Sequence, residues 1–202
     1  MMDDSDIVKS ALTEAIDKLG LIKPDAIERI SHLLSADMTV HPRQTCIEYR
    51  KTGDQLSKED KKANGINGNA FFSRNAFDDL TDLGRLNPLI AHQQTILRAN
   101  FTVGRYHSLE KLKQIFLPGH GFKGIVKFIG SAPECPFCSD SDGELMKIEE
   151  APVFPPPQCA CAAPHYLFIP EISFLDNWNE PDQTESARGS LLTRFIRWFR
   201  HE

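Results

Sequence analysis

Residues 135–161 read CPFCSDSDGELMKIEEAPVFPPPQCAC, and four of the chain's five cysteines stand in this one stretch as two close pairs, Cys135 with Cys138 and Cys159 with Cys161. In a tight knuckle the sulfurs of a C-x-x-C converge on one point. In a strand the two side chains of a C-x-C leave on the same face, because direction repeats every two residues. Four thiolates can therefore meet. Twenty residues separate Cys138 from Cys159, close to the spacing of two-knuckle zinc sites. Between the pairs, Ser139-Asp140-Ser141-Asp142-Gly143 is turn chemistry in which Gly143 supplies a positive φ. Glu144–Glu150 has the length of a short strand, and Pro152, Pro155, Pro156 and Pro157 impose an extended return. The spacing predicts a clasp of Cys135, Cys138, Cys159 and Cys161 that holds a structural zinc ion, closes as disulfides or stays as free thiols. His165 could replace one cysteine in a mixed site.

The flanking residues give the clasp something to hold. Gly124–Gly130 is a short apolar strand running into the first pair, and Tyr166–Ile169 is its counterpart after the second. With the Glu144–Glu150 strand they predict a small antiparallel sheet, marginal on its own. Thiolate-bound zinc contributes about 10–16 kcal/mol in small peptide modules, ample for such a sheet. Closed four-thiolate coordination also leaves no position for substrate, which favours architecture over catalysis.

The first half reads as helical. Ile7, Val8, Ala11, Leu12, Ala15, Ile16 and Leu19 recur at helical spacing before a capping Gly20, and Pro24 opens a second stripe of Ile27, Ile30, Leu33 and Leu34, giving a helical hairpin with His32 as a packing or surface residue. Thr39–Tyr49 has the composition of a strand interrupted by Pro42, Gly53-Asp54 is a turn, and residues 57–69 read as a mobile polar loop. Asn69 is positioned to cap a helix through Phe77 that ends at Gly84. A further helix starts at Asn87-Pro88, with a kink at Gly104 and a fresh start at His107-Ser108.

The run Cys135-Pro-Phe-Cys138 with Asp142-Gly143, the proline-rich bend and Cys159-Ala-Cys161 resembles the signature of the phage Mu F-like minor head proteins, also called head morphogenesis proteins. Arg98-Ala99-Asn100 with Tyr106 is similar to that family's helix upstream of the knuckle. The resemblance covers residues 88–169, and Pro157, Gln158 and Ala160 stand where the family commonly has His, Asn and Arg. It implies a non-catalytic role in capsid assembly or DNA packaging, with phage capsid or portal proteins as partners, in the virion or the host cytoplasm.

Other features narrow the classes. A net charge of −5 argues against a general nucleic-acid binder. The acidic opening Met1-Met2-Asp3-Asp4 is unlike a secretion signal, and no apolar run reaches the roughly 20 residues of a membrane span. Gly119-His-Gly121-Phe-Lys-Gly124 matches a dinucleotide-binding pattern only as letters, since it follows a helix and precedes a strand. His107 and Glu110 with Pro133 and the first cysteine pair resemble a zinc deaminase at the wrong spacing. Cys46 near His41 lacks an orienting group for nucleophilic work. Asp140 and Asp142 serve the turn rather than acid–base chemistry. Residues 177–189 form a polar linker, and residues 190–201 an amphipathic helix with Leu191, Leu192, Phe195, Ile196 and Phe199 on one side and Arg194, Arg197 and Arg200 around it, suited to a partner's groove or a membrane surface.

The expectation is an α+β protein: a helical region over residues 1–86 with a mobile loop at 51–69, a unit over 87–176 that joins a helix to the cysteine-clasped sheet, and a linker with a tail helix over 177–202. The alternatives are a phage-associated or secreted toxin-type enzyme with hydrolase or deaminase chemistry, and a zinc-ribbon-like protein-binding adaptor.

Overall fold

The computed structural model describes residues 3–34, 42–116, 124–130 and 132–171; the linker, the tail helix, His41 and the Gly119–Lys123 connection lie outside the described residues. The described chain is α+β. Helices α1 (Asp4–Leu19), α2 (Ile27–Ser31), α3 (Pro42–Lys51), α4 (Lys58–Ala63), α5 (Arg74–Asp78), α6 (Asp82–Arg85) and α7 (Pro88–Ile115) precede β1 (Ile125–Ile129), α8 (Pro136–Asp140), β2 (Leu145–Lys147) and β3 (Leu167–Pro170).

Helix α7 is the shared spine. At 28 residues it is about 42 Å long, enough to serve two cores in turn. Its first turns place Ala91, Ile96, Ala99 and Val103 in the helical core with Val8, Ala11, Leu12, Ala15 and Ile16 of α1. Its last turns place Leu109 and Leu112 against the sheet. Gly20, at φ 63, ends α1 as anticipated, its N–H donating to the Ile16 carbonyl at 2.8 Å. Pro24 opens a short 3-10 turn that leads into α2, where Arg29 pairs with the buried Asp79 carboxylate, which also accepts from the Tyr49 hydroxyl.

Several local expectations are corrected. The stretch expected as a strand is helix α3 from Pro42 onward, because Thr45, Cys46 and Tyr49 fall on one helical face and are buried together. Within residues 57–69, Ser57 caps α4 by accepting from the Asp60 N–H at 2.9 Å, and Lys61 and Ile66 are buried. Asn69 caps nothing. The true caps are Ser73 for α5 and Thr81 for α6, each accepting from an N–H three residues on. Gly84 lies inside α6, where a Cβ would meet the Leu21 carbonyl oxygen at 2.0 Å. Gly104 and His107-Ser108 do not interrupt α7, since Val103, Tyr106 and Leu109 on either side are all buried.

The sheet has the anticipated three strands in the order β2-β1-β3, antiparallel throughout, with Val126 opposite Met146 and Phe128 opposite Phe168. Its inner face carries Val126, Phe128 and Phe168, with Tyr166 stacked on Phe128 at 4.9 Å between centroids. Its outer face exposes Leu145, Leu167 and Ile169. Among the described residues no helix is long and apolar enough to cross a membrane.

Gly84→Ala is expected to lower stability by about 1–3 kcal/mol, the usual range for overpacking, because backbone cannot yield as a side-chain tip can. Gly68→Ala, whose added methyl would meet only the flexible Lys58 side chain at 3.9 Å, should leave the denaturant midpoint nearly unchanged.

Candidate metal centre

The first cysteine pair is formed by a helix start. Cys135 is the extended residue before α8, Pro136 takes the first helical position where no N–H is needed, and the Ser139 N–H returns to the Cys135 carbonyl at 3.0 Å. This turn brings Cys138 back beside Cys135. The knuckle is seated on β1 by Gly130, where a Cβ would stand 2.2 Å from the Cys138 carbonyl oxygen. Asp142 accepts from the Gly130 N–H at 2.9 Å, and Gly143, at φ 84, donates to Phe128 at 2.9 Å. Asp142 and Gly143 therefore do shape the turn. Phe137, between the cysteines, packs edge-on against Phe128 at 5.6 Å, so the knuckle is anchored in the sheet core.

The second pair arrives on an irregular segment rather than a strand. Residues 151–166 contain no helix or strand, and the return is held by bonds to side chains. The Cys159 N–H donates to the Pro156 carbonyl at 2.9 Å, and the Tyr166 hydroxyl donates to the Phe154 carbonyl at 3.2 Å. Two arginines of α7 do most of the holding. Arg98 donates to the Cys161 carbonyl at 2.7 Å while it grips Glu14 of α1 through Nε and Nη2. Arg105 donates to the Val153 and Pro164 carbonyls, both at 2.9 Å, and lies over the Tyr166 ring at 4.0 Å.

All four sulfurs meet as the spacing predicted. The Sγ atoms of Cys135, Cys138, Cys159 and Cys161 lie within 4.8 Å of one another. Cys138 and Cys161 are 3.8 Å apart. Around a tetrahedral ion with metal–sulfur bonds of about 2.3 Å, sulfurs stand about 3.8 Å apart, whereas a disulfide needs about 2.05 Å. The donor set fits a metal ion: four soft ligands, three of them buried, with Cys161 beside a shallow depression lined by Glu134, Ala163 and His165 that offers a way in. His165 is exposed, its ring lies 5.6 Å from that of Phe101, and it stands outside the ligand group.

Electrostatics divides the four thiols. Burial works against ionisation at Cys135, but the N–H groups of Cys138 and Ala160 and the thiols of Cys161 and Cys138 outweigh it and bring its pKa down to about 6. Burial pushes Cys138 up to about 11 and raises Cys161 as well. Of these three thiols, Cys135 ionises most readily, while Cys138 and Cys161 hold their protons more tightly.

The other candidates lie elsewhere. Cys46 is buried, and burial raises its thiol to about 11, the opposite of an activated nucleophile. His107 faces Asp4 at 3.8 Å and Glu110 pairs with Lys113 at 2.7 Å, so neither belongs to the sulfur group. Arg105 escaped the sequence reading. The available signal was its seven-residue offset from Arg98, two helical turns apart on one face of the helix.

Metal uptake should release protons, chiefly from Cys138 and Cys161, and affinity should rise with pH because the ligands are thiolates. Indicator-dye titration in weak buffer checks this; uptake without proton release would contradict it. Gly130→Ala, which drives a methyl into the Cys138 carbonyl, should weaken metal binding more than it perturbs the helical core. No family model, curated protein or solved structure matches the chain.

Proposed function

We propose that the chain is a non-catalytic phage or prophage minor head protein, acting structurally in capsid assembly or DNA packaging, and that its four cysteines hold a structural zinc ion. The observation that carries the structural reading is closure: four sulfurs within 4.8 Å would fill every position of a tetrahedral zinc, leaving none for water or substrate. Zinc suits this donor set and accounts for how so irregular a segment keeps its shape, since the ion would fasten the return loop to the knuckle and the knuckle to the sheet. The head-protein reading is supported by the resemblance over residues 88–169, now with a physical rationale for its parts. Arg98 of the helix motif and the C-x-C of the clasp are bonded to each other through the Cys161 carbonyl. The partners would be capsid or portal proteins, and the location the virion or host cytoplasm.

A second reading, a zinc-ribbon-like adaptor outside any phage, is favoured by the exposed apolar outer face of the sheet at Leu145, Leu167 and Ile169, which offers a protein partner a surface. The enzyme reading has less support, because the histidine and glutamate that would complete a deaminase stand outside the sulfur group and Glu110 is paired with Lys113.

Elemental analysis with thiol titration on freshly purified protein is expected to give one zinc per chain, with Cys135, Cys138, Cys159 and Cys161 protected until a chelator is added. Cys135→Ser and Cys159→Ser should lose the zinc and the near-ultraviolet signal of the Phe128–Tyr166 cluster while keeping most helical signal. Stoichiometric copurification with capsid or portal proteins encoded beside its gene would support the head assignment; copurification with none of them would favour the adaptor.

A further inference from the structure

The charges around the sulfur centre do not balance among the side chains alone. Arg98 and Arg105 are 1% and 4% exposed. Arg98 is neutralised by Glu14, whose two carboxylate oxygens it holds at 2.6 and 2.9 Å. Arg105 has only neutral partners: the carbonyls of Val153 and Pro164, the Thr102 hydroxyl at 3.1 Å, and the face of Tyr166. Among the described residues it forms no ion pair with a carboxylate; Glu14, the acidic group that acts on it, is already committed to Arg98. A guanidinium buried without a counter-charge costs several kcal/mol. The loop that Arg105 grips through the Val153 and Pro164 carbonyls carries Cys159 and Cys161 between those two residues. Four thiolates around a divalent ion carry a net charge of about −2, and that charge is absent when the thiols are protonated.

We propose that Arg105 is the counter-ion of the metal-loaded thiolate centre, and that Arg98, bonded at once to the Cys161 carbonyl and to Glu14, couples metal loading to the docking of α1 on α7. This rests on the metal reading above. Both arginines are positioning residues: they touch the loop that carries the ligands, not the ion. Because coupling free energies are reciprocal, the ion tightens α1, and the Glu14–Arg98 pair tightens the ion.

The test uses the full chain and zinc ion itself. Affinity is read by competition with a chromophoric chelator, and the docking of α1 by amide hydrogen exchange over residues 7–16. Arg105→Met is expected to weaken zinc binding about 10- to 100-fold, the usual effect of removing an outer-sphere partner, and Arg105→Lys, which keeps the charge, should recover part of the loss. Should Arg105→Met fail to fold, Arg105→Gln carries the same expectation. Zinc should slow exchange across α1 in the wild type, and Arg98→Met should abolish that slowing. Arg29→Met, which breaks the Asp79 pair in the helical core, should leave zinc affinity unchanged. Wild-type affinity in a folded Arg105→Met or Arg105→Gln variant, or an equal loss in Arg29→Met, would overturn the proposal. A wild-type chain that takes up no zinc would overturn the metal reading itself, which is a separate result.

Discussion

The constraint on which the rest depends is that four sulfurs must be kept at one point by a segment with almost no regular structure. Residues 151–166 lack a helix or strand, and several of their carbonyls are taken by long side chains, two of which reach in from α7. Arg98, Arg105 and Tyr166 together take the carbonyls of Val153, Phe154, Cys161 and Pro164. Without those bonds the buried carbonyl of Pro164 and the half-buried ones of Val153, Phe154 and Cys161 would lose these partners, and a buried carbonyl left orphaned costs more than an ordinary hydrogen bond yields. The cysteines and the arginines therefore share this segment: the four sulfurs gather at one end of it, and the arginines bond it to the spine.

The spine explains why both halves of the molecule feel that point. Helix α7 is continuous from the helical core through the arginine zone to the sheet core. The centre stands between two packed clusters, tied to the sheet through Phe137 and Gly130 and to α1 through Arg98 and Glu14. A metal held by four cysteines at a free loop tip would stabilise only the loop. Here it is tied by side chains to a helix from near the chain's beginning and to a strand from its second half.

Much of this arrangement was legible in the residues. The two cysteine pairs, the Asp-Gly turn and the three apolar runs predicted the clasp and the antiparallel sheet, because those signals are local: spacing, turn chemistry and period-two burial. Helix α1 and the start of α7 were legible for the same reason. What escaped was set by contacts distant in the chain. Helix α3 looked like a strand because Thr45 and Tyr49 favour strands in isolation, yet they are buried on one helical face in the finished core. Gly104 looked like a break, but the flanking residues are held by both cores. Arg105 drew no reading, since nothing nearby in the chain shows that the carbonyls of residues 153 and 164 would come to meet it.

The third strand has a further consequence. Glu171 donates inward to Ile125 at 2.9 Å, so by alternation the nitrogen of Pro170 faces away from β1, on the side where no described strand pairs, and a proline nitrogen has no hydrogen to offer. The opposite edge strand, β2, spans only Leu145–Lys147. Neither margin is a good template for an added strand, and stacking of copies edge to edge is disfavoured on both sides. Among the described residues, the surface this sheet offers for contact is therefore its broad face, with Leu145, Leu167 and Ile169, rather than its margins.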